Sequence, residues 1–163
     1  MEVVFKQEQF KLVSKKVNLP FTKVSEVLNS YIQYLKDEIT NGNTVRFLNI
    51  CYIKVDGNGC KNLKTRAFIA TELSKEVDVS SSVIMGILDR YEELIEKDVT
   101  SFFPYTIKGL LRIKIDDSPK GNKLHIYKTS EYNNLPIRIY TIRQFKYRCE
   151  DAIAKSQLEV ATL

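Results

Sequence analysis

The chain has 163 residues, 44% of them hydrophobic and 28% charged, with a net charge of +5. That length suits one ordinary domain or two small ones, and that balance suits a globular chain able to bury a core. No apolar run approaches the roughly 20 residues of a membrane span, and the opening MEVVFKQEQF lacks a basic region followed by an apolar stretch, so neither a membrane partner nor a secretion signal is expected. Cys51, Cys60 and Cys149 are odd in number and form no CxxC pair, which reads as thiols in a reducing compartment.

The charge is segregated along the chain. Residues 1–66 carry 11 Lys and Arg against 6 Asp and Glu, residues 67–103 carry 3 against 8, and residues 104–163 carry 11 against 6. A basic, acidic, basic chain suits a polyanion binder, and it equally suits segments that pair with one another or with further copies.

In chain order, a first helix is predicted to end at a polar elbow near Asn18. A longer helix follows, opened by Thr22, with Val24, Val27, Leu28, Tyr31, Ile32, Leu35 and Ile39 at helical spacing. Asn41-Gly42-Asn43 is a turn signal, and Val45, Phe47, Ile53 and Val55 read as strand positions with a break between the pairs. Gly57-Asn58-Gly59 reads as a turn, since it lacks the other glycine and lysine positions of a phosphate loop. The pattern then restarts. A helix near Phe68 ends at an elbow by Asp78, and Ser80-Ser81-Ser82 opens a second long helix. That helix carries Ile84, Ile87, Leu88, Tyr91, Leu94, Ile95 and Val99; strand positions follow at Tyr105, Ile107, Ile113 and Ile115. KLHIYK and LPIRIYTI read as two strands about a turn region at Tyr132-Asn133-Asn134. A final helix has Ile142, Phe145, Cys149, Ala152 and Ile153 on one face.

The restart is an internal repeat. SKKVNLPFTKVSEVLN, from Ser14, and SKEVDVSSSVIMGILD, from Ser74, stand 60 positions apart, and the offset holds without a gap for over forty residues. One such unit of helix, helix and two strands buries too little surface to stand alone, whereas two packed together share a core. The expected fold class is α+β, with two helix–helix–sheet units, residues 1–60 and 61–163, fused as a pseudo-dimer. Val24, Leu28, Tyr31 and Leu35 are expected in its core with their counterparts Ile84, Leu88, Tyr91 and Ile95.

The element order, the LP after the first elbow, the NG before the first strand and the kinks at Asn49-Ile50-Cys51 and Gly109-Leu110-Leu111 carry a resemblance. The chain resembles the bacterial histone-like HU and integration host factor family, and IRQFKYRCEDAIA is similar to that family's terminal helix. The resemblance implies a fold of two helices, a three-stranded sheet with a long β-arm and a C-terminal helix. It also implies a dimer that bends DNA with two arms wedged into the minor groove. The sequence departs from that pattern at the arms. The first unit has none, and the arm-sized segment of the second, Asp117 to Pro136, lacks the Arg-Asn-Pro tip. Similar proteins occur among structural components of tailed bacteriophages, the crAss-like phages among them.

Two functions are therefore expected in competition. One is a non-enzymatic structural subunit, a ring, collar or head–tail connector component of a virion, with copies of itself and other virion proteins as partners. The other is an architectural DNA-binding protein of reduced bending ability in the bacterial cytoplasm or nucleoid. Lys120, Lys123, Lys128, Arg138, Arg143, Lys146 and Arg148 are the candidate contacts to phosphates or to a protein partner. His125, the single histidine, lies in an alternating strand pattern and reads as an edge residue rather than a general base. No catalytic residue, metal site, cofactor or small-molecule substrate is expected.

Overall fold

In the computed structural model, which describes residues 2–56, 63–117, 119–129 and 135–162, the chain is an α+β protein. Its elements run α1 (Glu2–Val17), α2 (Phe21–Thr40), β1 (Val45–Phe47), β2 (Cys51–Val55), α3 (Arg66–Glu76), α4 (Ser81–Thr100), β3 (Tyr105–Ile107), β4 (Leu111–Asp116), β5 (Lys123–Lys128), β6 (Ile137–Thr141) and α5 (Arg143–Thr162). Among the described residues these are five helices and two antiparallel three-stranded sheets, ordered β1-β2-β6 and β3-β4-β5.

Helical spacing places α2 and α4. Val24, Val27, Leu28, Tyr31, Ile32, Leu35 and Ile39 are the buried residues of α2, and Ile84, Ile87, Leu88, Tyr91, Leu94, Ile95 and Val99 those of α4. Each apolar side chain removed from water in this way contributes roughly 1.5–3 kcal/mol. The eight expected core residues are all at most 1% exposed, and the buried set forms one cluster drawing on both repeats. Helix α1 packs on α4 as well as on α2, and α3 on α2 as well as on α4, so the helices of the two repeats interleave.

The helix starts differ between the repeats. Ser80 caps α4 by accepting from the Val83 N–H, and Thr65 caps α3 by accepting from the Phe68 N–H at 3.1 Å. Thr22 does not cap α2. The cap position is Pro20, without a side-chain bond, and Thr22 lies inside the helix, because Pro20 supplies the extended entry itself.

The helix ends match bond for bond. After α2, Asn41, Gly42 and Asn43 donate to the carbonyls of Asp37, Ile39 and Glu38; after α4, Ser101, Phe102 and Phe103 donate to those of Lys97, Val99 and Asp98. The last donor of each series reaches back five residues, the Schellman closure, which needs a left-handed residue just past the helix. Gly42 (φ 84°) fills that position in the first repeat and Phe102 (φ 65°) in the second.

The strand ladders also repeat at the offset. Val45↔Ile53, Arg46↔Tyr52 and Phe47↔Cys51 correspond to Tyr105↔Ile113, Thr106↔Arg112 and Ile107↔Leu111. KLHIYK and LPIRIYTI are both strands, as expected, but they complete different sheets. β5 pairs with β4 over its whole length, from Leu111↔Lys128 to Asp116↔Lys123, while β6 pairs with β2, from Cys51↔Thr141 to Val55↔Ile137. The segment expected as an arm, Asp117 to Pro136, thus contains a strand of the second sheet, β5. A division after residue 60 also separates β6 from the sheet it completes. The physical reason is satisfaction of β2: with only three-residue β1 on one side, its other edge carries unpaired backbone groups until β6 covers them. The turns expected at Gly57-Asn58-Gly59 and Tyr132-Asn133-Asn134 lie outside the described residues.

Candidate interaction surfaces

In a strand, alternate side chains point to opposite faces. Because Val45, Phe47, Cys51, Ile53 and Val55 face the core, Arg46, Tyr52 and Lys54 face outward, joined by Arg138 and Tyr140 of β6. The registers set Tyr52 opposite Tyr140 and Lys54 opposite Arg138. On the second sheet the outward row is Thr106, Arg112 and Tyr127, then Lys114 opposite His125 and Asp116 opposite Lys123. The His125 and Tyr127 rings stack at 5.5 Å. β5 and β6 contact each other without sharing a ladder, so the two sheets meet along these strands.

These faces carry Arg46, Lys54, Arg138, Arg112, Lys114 and Lys123 against few carboxylates. Asp116 accepts from the Tyr127 hydroxyl and pairs with Lys114 at 3.2 Å; the Tyr127 bond holds its carboxyl below the usual range. Asp56 pairs with Arg138 at 3.3 Å.

The acidic middle of the chain meets cations from both flanks. Arg66 reaches Asp89 at 2.6 Å and Glu92 at 2.5 Å, and Glu92 also accepts from the Asn49 N–H at 2.7 Å. This joins the β1–β2 turn to α3 and α4. At the other flank Arg148 of α5 pairs with Glu96 of α4. The charge blocks of the sequence therefore pair in part with one another, as one of the two sequence readings has it.

The seven basic candidates do not lie on one face. Lys123 and Arg138 face outward on different sheets, whereas Lys128 stands opposite Leu111, on the core-facing side of β5 at its exposed end. Lys120 is exposed ahead of β5; Arg143, Lys146 and Arg148 are on α5, where Lys146 pairs with Glu150 at 4.0 Å. Proximity in sequence gathered them, but period-two alternation and the switch from strand to helix disperse them. The same alternation, applied to β1, β2 and β4, is the signal that finds Arg46, Tyr52, Lys54, Arg112 and Lys114.

Two buried hydroxyl arrangements underlie the sheets. The Tyr31 hydroxyl accepts from the Leu48 N–H at 3.1 Å, and Leu48 holds a left-handed φ of 50° in the turn after β1. In the second repeat the Tyr105 hydroxyl donates to that of Tyr91 at 2.7 Å. Burial raises the pKa of all three. It also pushes the Cys149 thiol up to about 12 and the Cys51 thiol higher, so neither is a thiolate near neutrality.

Among the described residues no group of three or more His, Cys, Asp and Glu is placed to hold a metal ion, and no helix is long and apolar enough to cross a membrane. Apolar groups exposed to solvent gather toward the end of α5, with Leu158 at 65% and Val160 at 70%, and in the α4–β3 connection, with Phe103 at 65%. No family model matches this chain, and neither a curated protein nor a solved structure does.

Proposed function

We propose that the chain is a non-enzymatic structural protein, two HU-like units fused as a pseudo-dimer and serving as a subunit of a larger protein assembly, such as a ring, collar or connector of a phage virion. The observation that carries this reading is the distal part of α5. Its core-facing positions Phe145, Cys149 and Ile153 are buried, but past Ile153 the helix presents Leu158 and Val160 to solvent. Exposed large apolar groups on a long helix suit a protein partner. The connections support it too. β4 and β5 are joined by six residues, 117–122, too few for a DNA-embracing arm.

The outward basic and tyrosine-bearing sheet faces favour the second reading, a DNA-binding protein held by phosphate contacts. Such contacts are independent of sequence and weaken steeply with salt. Mass in solution, measured with and without duplex DNA and beside a bending assay at physiological salt, separates the two. The structural reading expects a closed oligomer without DNA and no sharp bend. A monomer that bends duplex DNA and holds it through a salt titration overturns it.

A further inference from the structure

The outer faces of the two sheets differ at one pair of matched positions. Where the first sheet has Arg46 opposite Tyr52, the second has Thr106 opposite Arg112. Arg46 lies over the Tyr52 ring, 5.6 Å from its centroid, and donates to the Leu48 carbonyl and to Asn49 Oδ1, so it covers its own sheet surface. Thr106 is short, and beside it the second sheet has a cleft of about 420 Å³.

Thr106, Arg112, Lys114, Tyr127, Lys128 and Thr129 line that cleft, and its one carboxylate, Asp116, is already engaged by Lys114 and Tyr127. Arg112 forms no ion pair among the described residues. Thr129 Oγ1 is buried and finds no hydrogen-bond partner among them, an uncommon state for a hydroxyl. Surplus positive charge, a guanidinium fork suited to two oxygens and an unused hydroxyl meet in one concavity.

We propose that this cleft is an oxyanion site that takes a phosphate-class group, with Arg112 supplying charge beside Lys114 and the hydroxyls of Thr106 and Thr129 completing the shell. The site does not depend on how the chain assembles. Its ligand is either free phosphate or a phosphodiester of a nucleic-acid strand.

The test titrates inorganic phosphate into the full chain at constant ionic strength and follows backbone amide shifts. Saturable shifts confined to Thr106, Arg112 and the Tyr127–Thr129 segment are expected. Arg112→Ala, at an exposed position, should weaken binding about tenfold with the melting temperature held, whereas Lys128→Ala, whose side chain leaves β5 on the other face, should change little. Lys54→Ala, on the matched face of the first sheet, should change nothing, and Thr106→Arg, which rebuilds the first sheet's side chain, should close the site. Equal weakening by Lys54→Ala and Arg112→Ala means diffuse attraction and overturns the proposal, as does the absence of saturable shifts. A labelled DNA strand then identifies the source. Strand binding weakened by Arg112→Ala and displaced by phosphate assigns the site to the nucleic-acid backbone; strand binding indifferent to that substitution assigns it to the free anion.

Discussion

Residues 21–55 and 81–115 trace the same path with different side chains. Their long helices, Schellman closures and first two strands coincide at an offset of 60 positions. Under the sheets, however, one repeat pairs a tyrosine hydroxyl with a backbone N–H and the other pairs two tyrosine hydroxyls. On the outer faces one has a covered arginine and the other an open cleft. The backbone closures tolerate these exchanges because their bonds are made by main-chain groups, which every residue except proline carries in full. The side-chain networks are where the repeats are free to diverge.

The core should be the least divergent part. Leu28→Ala and Leu88→Ala, both at 0% exposure, are each expected to cost about 2–5 kcal/mol in denaturant unfolding, because each leaves a cavity in one shared cluster. A single unfolding transition should persist in both variants. Two separated transitions would show that the repeats unfold as independent bodies and would break the comparison.

The hydroxyl pairs sharpen it. Tyr31→Phe leaves the Leu48 N–H without its acceptor and should cost about 1–3 kcal/mol. Replacing both Tyr91 and Tyr105 with Phe removes donor and acceptor together and should be much less costly than Tyr31→Phe, since no polar atom of that pair is left orphaned. Equal losses in chemical denaturation would mean that the two arrangements do the same work.

The smallest effect lies at the helix ends. Phe102 holds the left-handed conformation that Gly42 holds without strain, and for a side chain this costs roughly 1–2 kcal/mol. Gly42→Ala should therefore lose about 1 kcal/mol, whereas Phe102→Gly should relieve strain and raise the melting temperature slightly. A drop on Phe102→Gly as large as that for Gly42→Ala would assign the Phe102 ring, 39% exposed, a packing role worth more than its strain.

The outer faces were half legible in the sequence. Strand alternation reveals Arg46, Tyr52 and Lys54 once β1 and β2 are recognised, and equally Arg112 and Lys114. A basic cluster counted along the chain instead groups Lys123 with Lys128, which the strand sends to opposite faces, and both with Arg143, Lys146 and Arg148 on a helix. The cleft itself was not legible. It depends on a threonine being shorter than the arginine at the matched position, on the Tyr127–Asp116 bond, and on β5 lying beside β4 rather than reaching outward.

What the sequence determined by itself was everything carried by local period. The helical faces of α2 and α4, the alternation of the strands and the offset of 60 all follow from where apolar residues recur along a few turns or a few strand positions. Only the tertiary structure decided which strand completes which sheet. KLHIYK and IRIYT have similar patterns, and each could supply an apolar face to either core. β5 takes the edge of β4, from which six residues separate it along the chain, and β6 takes the edge of β2, whose pairing Tyr52↔Tyr140 spans everything from α3 to β5. Strand partnership is set by which open edges and apolar faces remain uncovered once the helices have packed, and that information is distributed over the fold rather than written beside either strand.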